Sequence, residues 1–383
     1  MKQYKYLYAK MLDKDLIKKA YTKLRKGKTK RREIIYIDEH LDSEIDKMYE
    51  MILNTKPEGF DIDLSKAYKA HKRTPKIINE HGKERKIYMP EIHEQWLHHI
   101  IVLVLEPIII NASYRYSCGS FPSRGAHYGK RKIEKWIKEG KDIKYFAKLD
   151  IRHFYDSIRV DILMRELSLT IKDDLFLYVV EKSLEGFKKG IPLGFYISQW
   201  LANFLLTPLD WFIVKTLGFK KTARYMDDIV IFAGAKKCLH EVIVEIKKFI
   251  GRRFRLKVKN NYQVIRFYYK GKKTVGRPLD YMGFVFYREK TIIRKSIMLK
   301  AVSLAKGLKK AKDKGRGYFL TNVKAMISYA GWFSCTDTYG CYFKYIKPHV
   351  DLGKLRKIVS KIDRRLRYET VERGTLYFRA SRA

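Results

Sequence analysis

Three aspartates carry the strongest chemical signal in the chain. Asp150 lies at the end of Lys144-Tyr145-Phe146-Ala147-Lys148-Leu149-Asp150-Ile151. Alternation there puts Tyr145, Ala147, Leu149 and Ile151 on one face of a strand and Lys148 and Asp150 on the other. Asp227 and Asp228, 77 residues beyond Asp150, precede Ile229-Val230-Ile231-Phe232, an apolar run suited to a strand buried on both faces. Adjacent anions repel and lose solvation, at a cost on the order of a few kcal/mol when partly buried, unless cations compensate them. Hard oxygen donors of this kind suit magnesium, which is held by one or two carboxylates together with substrate phosphates. Two such ions about 3.5–4 Å apart can activate a hydroxyl and stabilise a leaving pyrophosphate. Either segment alone also fits a solvated turn; neighbouring strands of one sheet would bring the acids together.

The elements that must position these acids are legible around them. From Trp96 to Ile110, Leu97, Ile100, Ile101, Val104 and Ile108 form a helical stripe. A second stripe, Leu239, Val242, Ile243, Ile246, Phe249 and Ile250, is expected to end near Gly251, with Arg252 and Arg253 at the electronegative helix terminus. Residues 72–78 and 83–90 flank Asn79-Glu80-His81-Gly82 and read as a basic hairpin.

The 383 residues include 82 lysines and arginines against 41 acids, a net charge of +41 that points to a polyanionic partner. An apolar fraction of 46% is ample for a core and argues against disorder. Four scattered cysteines do not make a disulfide framework and read as thiols. No apolar stretch approaches the roughly 20 residues of a membrane span, and the N-terminus has no apolar signal core, so a soluble, cytoplasmic protein without membrane partners is expected. With no repeats and no Gly/Ser or Pro-rich linker, any domains should pack against each other.

The segments Ala147 to Ile158 (AKLDIRHFYDSI) and Ala223 to Phe232 (ARYMDDIVIF) resemble, in order and separation, the A and C motifs of reverse transcriptases. Lys83 to Pro90 is similar to the basic fingers strand, and Ser120 to Gly129 (SFPSRGAHYG) to the arginine-glycine motif before the palm. Gly190 to Asp210 is similar to motif B, and Asp280 to Phe286 (DYMGFVF) to the primer-grip motif E. The resemblance implies an α+β right-hand polymerase fold. Fingers and an N-terminal extension would occupy residues 1–143, a palm with an antiparallel sheet and interleaved finger elements 144–296, and a basic helical thumb 297–383. That last segment carries twenty lysines and arginines against six acids.

The implied activity is RNA-directed DNA synthesis by two-metal nucleotidyl transfer, with two Mg2+ ions, Mn2+ substituting. Partners would be an RNA template, the cDNA product, dNTPs and an accessory protein, with the oligomeric state open. Asp150, Asp227 and Asp228 would be the catalytic acids and metal ligands, with the carbonyl of Ile151. Tyr155 falls at the aromatic steric gate. Lys83, Arg85 and Lys86 would meet the incoming triphosphate, beside Leu193 and Gly194; Arg124, Ser198, Gln199, Met282 and Gly283 would touch template or primer.

The chain departs from the commonest pattern at informative places. Leu193 stands where many reverse transcriptases place a glutamine, Ser198-Gln199 replaces the serine-proline of group II intron enzymes, and Tyr262 stands where those enzymes often place a motif D lysine. Lys257 and Lys259 are nearby candidates to protonate pyrophosphate in its place, with water as the alternative. These departures resemble diversity-generating retroelement and defence-associated bacterial lineages, which copy a dedicated noncoding RNA. No endonuclease or RNase H signature is visible. The rival reading is a noncatalytic RNA-binding or maturase-like protein that retains the fold.

Overall fold

A computed structural model describes residues 3–70, 74–80, 83–140, 142–270, 274–362 and 364, with the side chains of Glu80 and Lys83 outside that description. The chain divides into two compact units, residues 1–132 with 142–265, and residues 133–141 with 266–383.

The first unit opens with helices α1 (Leu7–Met11), α2 (Lys14–Leu24), α3 (Arg32–Glu39) and α4 (Leu41–Leu53), followed by strands β1 (Lys76–Glu80) and β2 (Lys83–Ile87). Helix α5 (Ile92–Ala112) leads to α6 (Ala126–Glu139), within which the division falls. Next come β3 (Tyr145–Asp150), α7 (Phe154–Ser157), α8 (Val160–Ser168), α9 (Asp174–Ser183) and α10 (Tyr196–Trp211), which runs on as a π-helical turn, Phe212–Thr216. The hairpin β4 (Thr222–Tyr225) and β5 (Asp228–Ala233), helix α11 (Lys236–Phe254) and β6 (Gln263–Arg266) complete the sequence. One Asp173 carboxylate accepts from the Leu7 and Tyr8 amides at the start of α1 and from Phe176 in the first turn of α9, so it caps two helices and ties the N-terminal segment down.

The central sheet has the order β4-β5-β3-β6, with β3 and β4 both antiparallel to β5. Ala147, Leu149 and Ile151 enter the main core from one face, while Phe146, on the other, lies near Phe232. The buried run Ile229–Phe232 is covered on both faces, as its composition dictates. The basic hairpin is present, with Ile78 opposite Arg85 and Ile77 opposite Lys86; its His81-Gly82 turn lies outside the described residues.

Two helices differ from expectation. Helix α5 has 21 residues and is apolar enough to cross a membrane by length and composition, although over half of its most apolar window is buried within the protein. Instead of one stripe it buries most of its circumference, including His98 and His99, because α2 and α10 both pack on it. Helix α11 runs through Gly251 to Phe254; the buried stripe continues from Ile250 to Phe254, and Arg255 at φ 57° ends it in the left-handed region.

The second unit contains β7 (Tyr269–Lys270), β8 (Thr274–Val275), β9 (Leu279–Tyr281), β10 (Phe284–Phe286) and β11 (Thr291–Ile293). Helices α12 (Lys295–Asp313), α13 (Leu320–Ser334) and α14 (Tyr339–Tyr345) follow, with their own core around Ala301, Ala305, Val323, Met326 and Phe333. Asp337 and Thr338, between α13 and α14, accept from the Thr291 and Ile293 amides and fix the helices to the edge of the β9–β11 sheet.

A buried polar network joins α10 to the β4–β5 hairpin. Arg224 is 0% exposed and Asp210 1%. The guanidinium donates to both Asp210 oxygens, at 2.7 and 2.8 Å, and through Nη1 to Asn203 Oδ1 at 3.0 Å and the Met226 carbonyl at 2.8 Å. Burial pushes the Asp210 carboxyl upward and the bidentate guanidinium opposes it. Arg224→Met strands a buried carboxylate and should cost about 3–5 kcal/mol, read as a lower urea midpoint. Arg224→Met with Asp210→Leu should recover much of that loss; equal midpoints for the single and double variants would refute this account.

The buried His99 ring stacks on Tyr196 with centroids 4.0 Å apart. Burial, then Lys28 and Lys23, hold its imidazole down from 6.5 to about 4. The unfolded chain therefore takes up this proton before the folded one, and the His99 contribution to stability, complete above pH 6.5, is lost as pH falls toward 4. The variant His99→Phe should show a flatter fall in Tm between pH 6.5 and 4 than the wild type.

Candidate active site

The sheet register sets the acids together. Asp150, the last residue of β3, lies directly across from Asp228, the first of β5, and Asp227 sits in the two-residue turn that joins β4 to β5. Met226, the other turn residue, has φ 55°, a left-handed conformation costly for a side chain other than glycine. Its neighbours hold it there. Arg224 donates to its carbonyl, Ser120 Oγ and Asn203 Nδ2 lie 3.4 and 3.5 Å from its sulfur, and Asn203 also donates to the Gly119 carbonyl. Gly119 must be glycine, since a Cβ there would fall 2.7 Å from the Met226 nitrogen. Sequence reasoning missed Gly119, Asn203, Asp210 and Arg224 as positioning residues. The available signal was a lone acid, Asp210, and the amide of Asn203 within the apolar run of helix α10, and a cation inside a strand.

Burial, with the charges of Asp150 and then Asp228 beside it, pushes the Asp227 carboxyl up to about 6, and Lys259 pulls against this. Lys259 Nζ donates to Asp150 Oδ2 at 2.5 Å, and its backbone amide to the Asp150 carbonyl at 2.8 Å. Lys259 rather than Lys257 is therefore the lysine that reaches the acids. Asp150 Oδ1 is buried and has no hydrogen-bond partner. An orphaned carboxylate oxygen beside two more acids fits a divalent cation in donor chemistry and charge. Among the described residues no three His, Cys, Asp or Glu side chains already form a closed ligand cluster. Ile151 is buried and bridges to Val258, continuing the sheet past Asp150.

Tyr155 is half-buried against Phe154. Burial and the Asp227 charge push its hydroxyl upward, while Arg224 and Arg85 pull the other way, so the ring lies within electrostatic reach of both Asp227 and the β2 cation. Arg85 and Lys86 are exposed on β2; Lys83 belongs to the same strand and its side chain lies outside the described residues. The Tyr88 amide, just past β2, donates to the Leu193 carbonyl at 2.8 Å. At Gly194, φ 103°, a Cβ would meet the Tyr88 carbonyl oxygen at 2.1 Å. The glycine is thus required first by this protein backbone contact.

The expected template and primer residues separate. Ser198, expected at the template, is 2% exposed, and its hydroxyl donates to the Pro192 carbonyl at 2.7 Å, which fixes the turn ahead of α10. Gln199 is half-buried one residue on. Arg124 donates to Ser113 Oγ at 2.8 Å and lies over the Phe121 ring, which packs on Trp200. Met282 and Gly283 belong to the second unit, where they form the turn between β9 and β10 with φ 52° and 84°. Met282 is buried, and a Cβ on Gly283 would strike the Trp332 ring at 2.8 Å.

Residues 70–286 match the family described as reverse transcriptase (RNA-dependent DNA polymerase). Protein YkfC of Escherichia coli is 22% identical over 158 residues, 36% of this chain and 39% of that protein. An uncharacterised 91 kDa protein in the cob intron of Schizosaccharomyces pombe is 27% identical over 213 residues, 53% of this chain and 25% of that protein. The matched region thus spans well under half the length of either curated relative. Among solved structures, apo telomerase from Candida tropicalis superposes with a TM-score of 0.47 at 11% identity, over 72% of this chain and 59% of that one. With more than half of its length matched, this chain belongs to the reverse transcriptase family.

Proposed function

We propose that the chain is an RNA-directed DNA polymerase that copies an RNA template into cDNA by two-metal nucleotidyl transfer. The observation that carries this reading is Asp150 lying across from Asp228, with Asp227 in the adjoining turn, inside the region matching the family. Asp150, Asp227 and Asp228, with the Ile151 carbonyl, would hold two magnesium ions, or manganese in their place, which activate a primer 3′-hydroxyl and neutralise the leaving pyrophosphate. The chain's own groups do the rest. Lys259 holds the Asp150 carboxylate through a charge-assisted hydrogen bond. Arg85, with Lys83 and Lys86, binds the triphosphate. Tyr155 places its ring against the sugar and excludes a ribose 2′-hydroxyl. Leu193 offers the nucleotide apolar contact in place of a hydrogen bond.

Residues 1–143 serve as fingers, 144–296 as palm and 297–383 as thumb. The Leu193-Gly194 and Ser198-Gln199 pairs and Tyr262 favour an element that diversifies a target gene or acts in antiviral defence, with a dedicated noncoding RNA as template and an accessory protein as partner.

Magnesium-dependent extension of a DNA primer on an RNA template should fall by ~10³-fold or more in the Asp227→Ala, Asp228→Ala double variant at matched RNA binding. Tight RNA binding with no extension by the wild type, across several primers and both metals, would favour the noncatalytic reading instead. Replacing Tyr155 with alanine should lower the preference for dNTPs over rNTPs, as a ratio of kcat/KM, by about tenfold or more; an unchanged ratio would remove the gate assignment.

A further inference from the structure

A cleft of about 1380 Å³ in the first unit is lined by none of the three aspartates. It lies among the Arg152-His153 turn, the start of α8, the last turns of α9, the loop 184–189 and residues 255–257. Its lining carries seven lysines and arginines against three acids. Two of those acids are already matched, Asp161 by Arg159 at 2.6 Å and Glu185 by Lys182 at 3.0 Å. Arg152, Lys188, Lys189, Arg255 and Lys257 make no ion pair among the described residues, which leaves five cations facing Glu181.

The walls are fixed to one another by backbone bonds. Arg152 N donates to Lys257 O at 2.8 Å, Val160 N to Lys188 O at 3.3 Å, and Gly190 N to Ile158 O at 2.7 Å, while Arg159 and Lys189 form an antiparallel bridge. Buried Glu166 accepts from Arg253 at 2.7 Å and ties α8 to the end of α11, two residues before Arg255. The cations are therefore presented on a braced surface, at no ordering cost to the backbone beneath them. Half-buried Tyr178 and Phe187 line the same cleft.

We infer that this cleft is a docking track for single-stranded nucleic acid, apart from the catalytic carboxylates. Its volume exceeds the roughly 300–1,000 Å³ of small-molecule sites, which favours a polymer over a single nucleotide. Five unmatched cations spread over several segments suit successive phosphates, and the aromatic rings supply base-sized apolar surface beside them. The ligand chemistry is a phosphodiester single strand. Under the polymerase reading, on which this source rests, the strand is the template RNA before it pairs. RNA binding is read without synthesis, so failure of that reading leaves this test intact.

The test uses the full chain with Lys188→Glu, Lys189→Glu, and fluorescence anisotropy with a 20-nucleotide RNA and the matching DNA across a salt series. The milder Lys188→Ala, Lys189→Ala variant and matched Tm values guard against misfolding. We expect an affinity loss of about tenfold for the glutamate variant and a smaller one for the alanine variant, with the slope of log K against log salt reduced by about 1.4, or 0.7 for each phosphate no longer neutralised. The loss is expected in the RNA arm; a loss confined to the DNA arm would overturn the assignment to template. Primer extension on a short pre-annealed duplex should keep its kcat and its dNTP KM. Unchanged affinity and slope in both arms would overturn the inference, and so would a raised dNTP KM with nucleic-acid affinity intact, which would make the cleft a nucleotide site.

Discussion

The Arg224–Asp210 ion pair is the constraint on which the acidic turn depends. A charged pair this deep is poor value as a source of stability, because desolvating both ions offsets most of their attraction. Its worth is positional. A guanidinium with a planar fork fixes directions as well as distances, and its remaining donor reaches the Met226 carbonyl. An apolar pair of the same volume would fill the space, but would leave that carbonyl and the Asn203 amide oxygen without their donor. The left-handed Met226 is then held by a strand cation on one side and by the Gly119 backbone on the other. Asp227 and Asp228 take their positions from that turn.

The charge distribution works on two length scales. At long range a net +41 draws any polyanion toward the chain. Within a few ångströms, the same chain gathers three acids, with Lys259 bonded to Asp150 and the Asp227 carboxyl pushed upward by burial and its acidic neighbours. Basic surroundings that attract phosphates, and an acidic centre that attracts divalent cations, are complementary because phosphate and metal neutralise one another where they meet.

Much of this was legible in the residues. Alternation around Asp150 placed it on the correct strand face, and the all-apolar Ile229–Phe232 gave a strand covered on both sides. Period-two and period-3.6 patterns survive because burial enforces them locally. What sequence could not supply was long-range pairing. Nothing near Arg224 announces Asp210, 14 residues away on another element, and strand alternation left Lys257 and Lys259 equivalent until the hydrogen bond to Asp150 distinguished them. The end of α11 was misplaced for a related reason: Gly251 is a stop signal only when the chain must turn there, and buried Phe254 draws the helix onward. Ser198 shows the opposite limit, since a motif position gives no sign that its hydroxyl is spent inside the protein.

Leu193 and Gly194 sit side by side under different evolutionary rules. The hydrogen bond that docks β2's end accepts at the Leu193 carbonyl, which every amino acid possesses, so the side chain at 193 can change without removing that bond. At 194 the Tyr88 carbonyl already occupies the space of a first side-chain carbon, and the position is closed to variation. A lineage with this backbone can therefore explore new pocket chemistry one residue away from a sterically fixed anchor, and keep that backbone hydrogen bond.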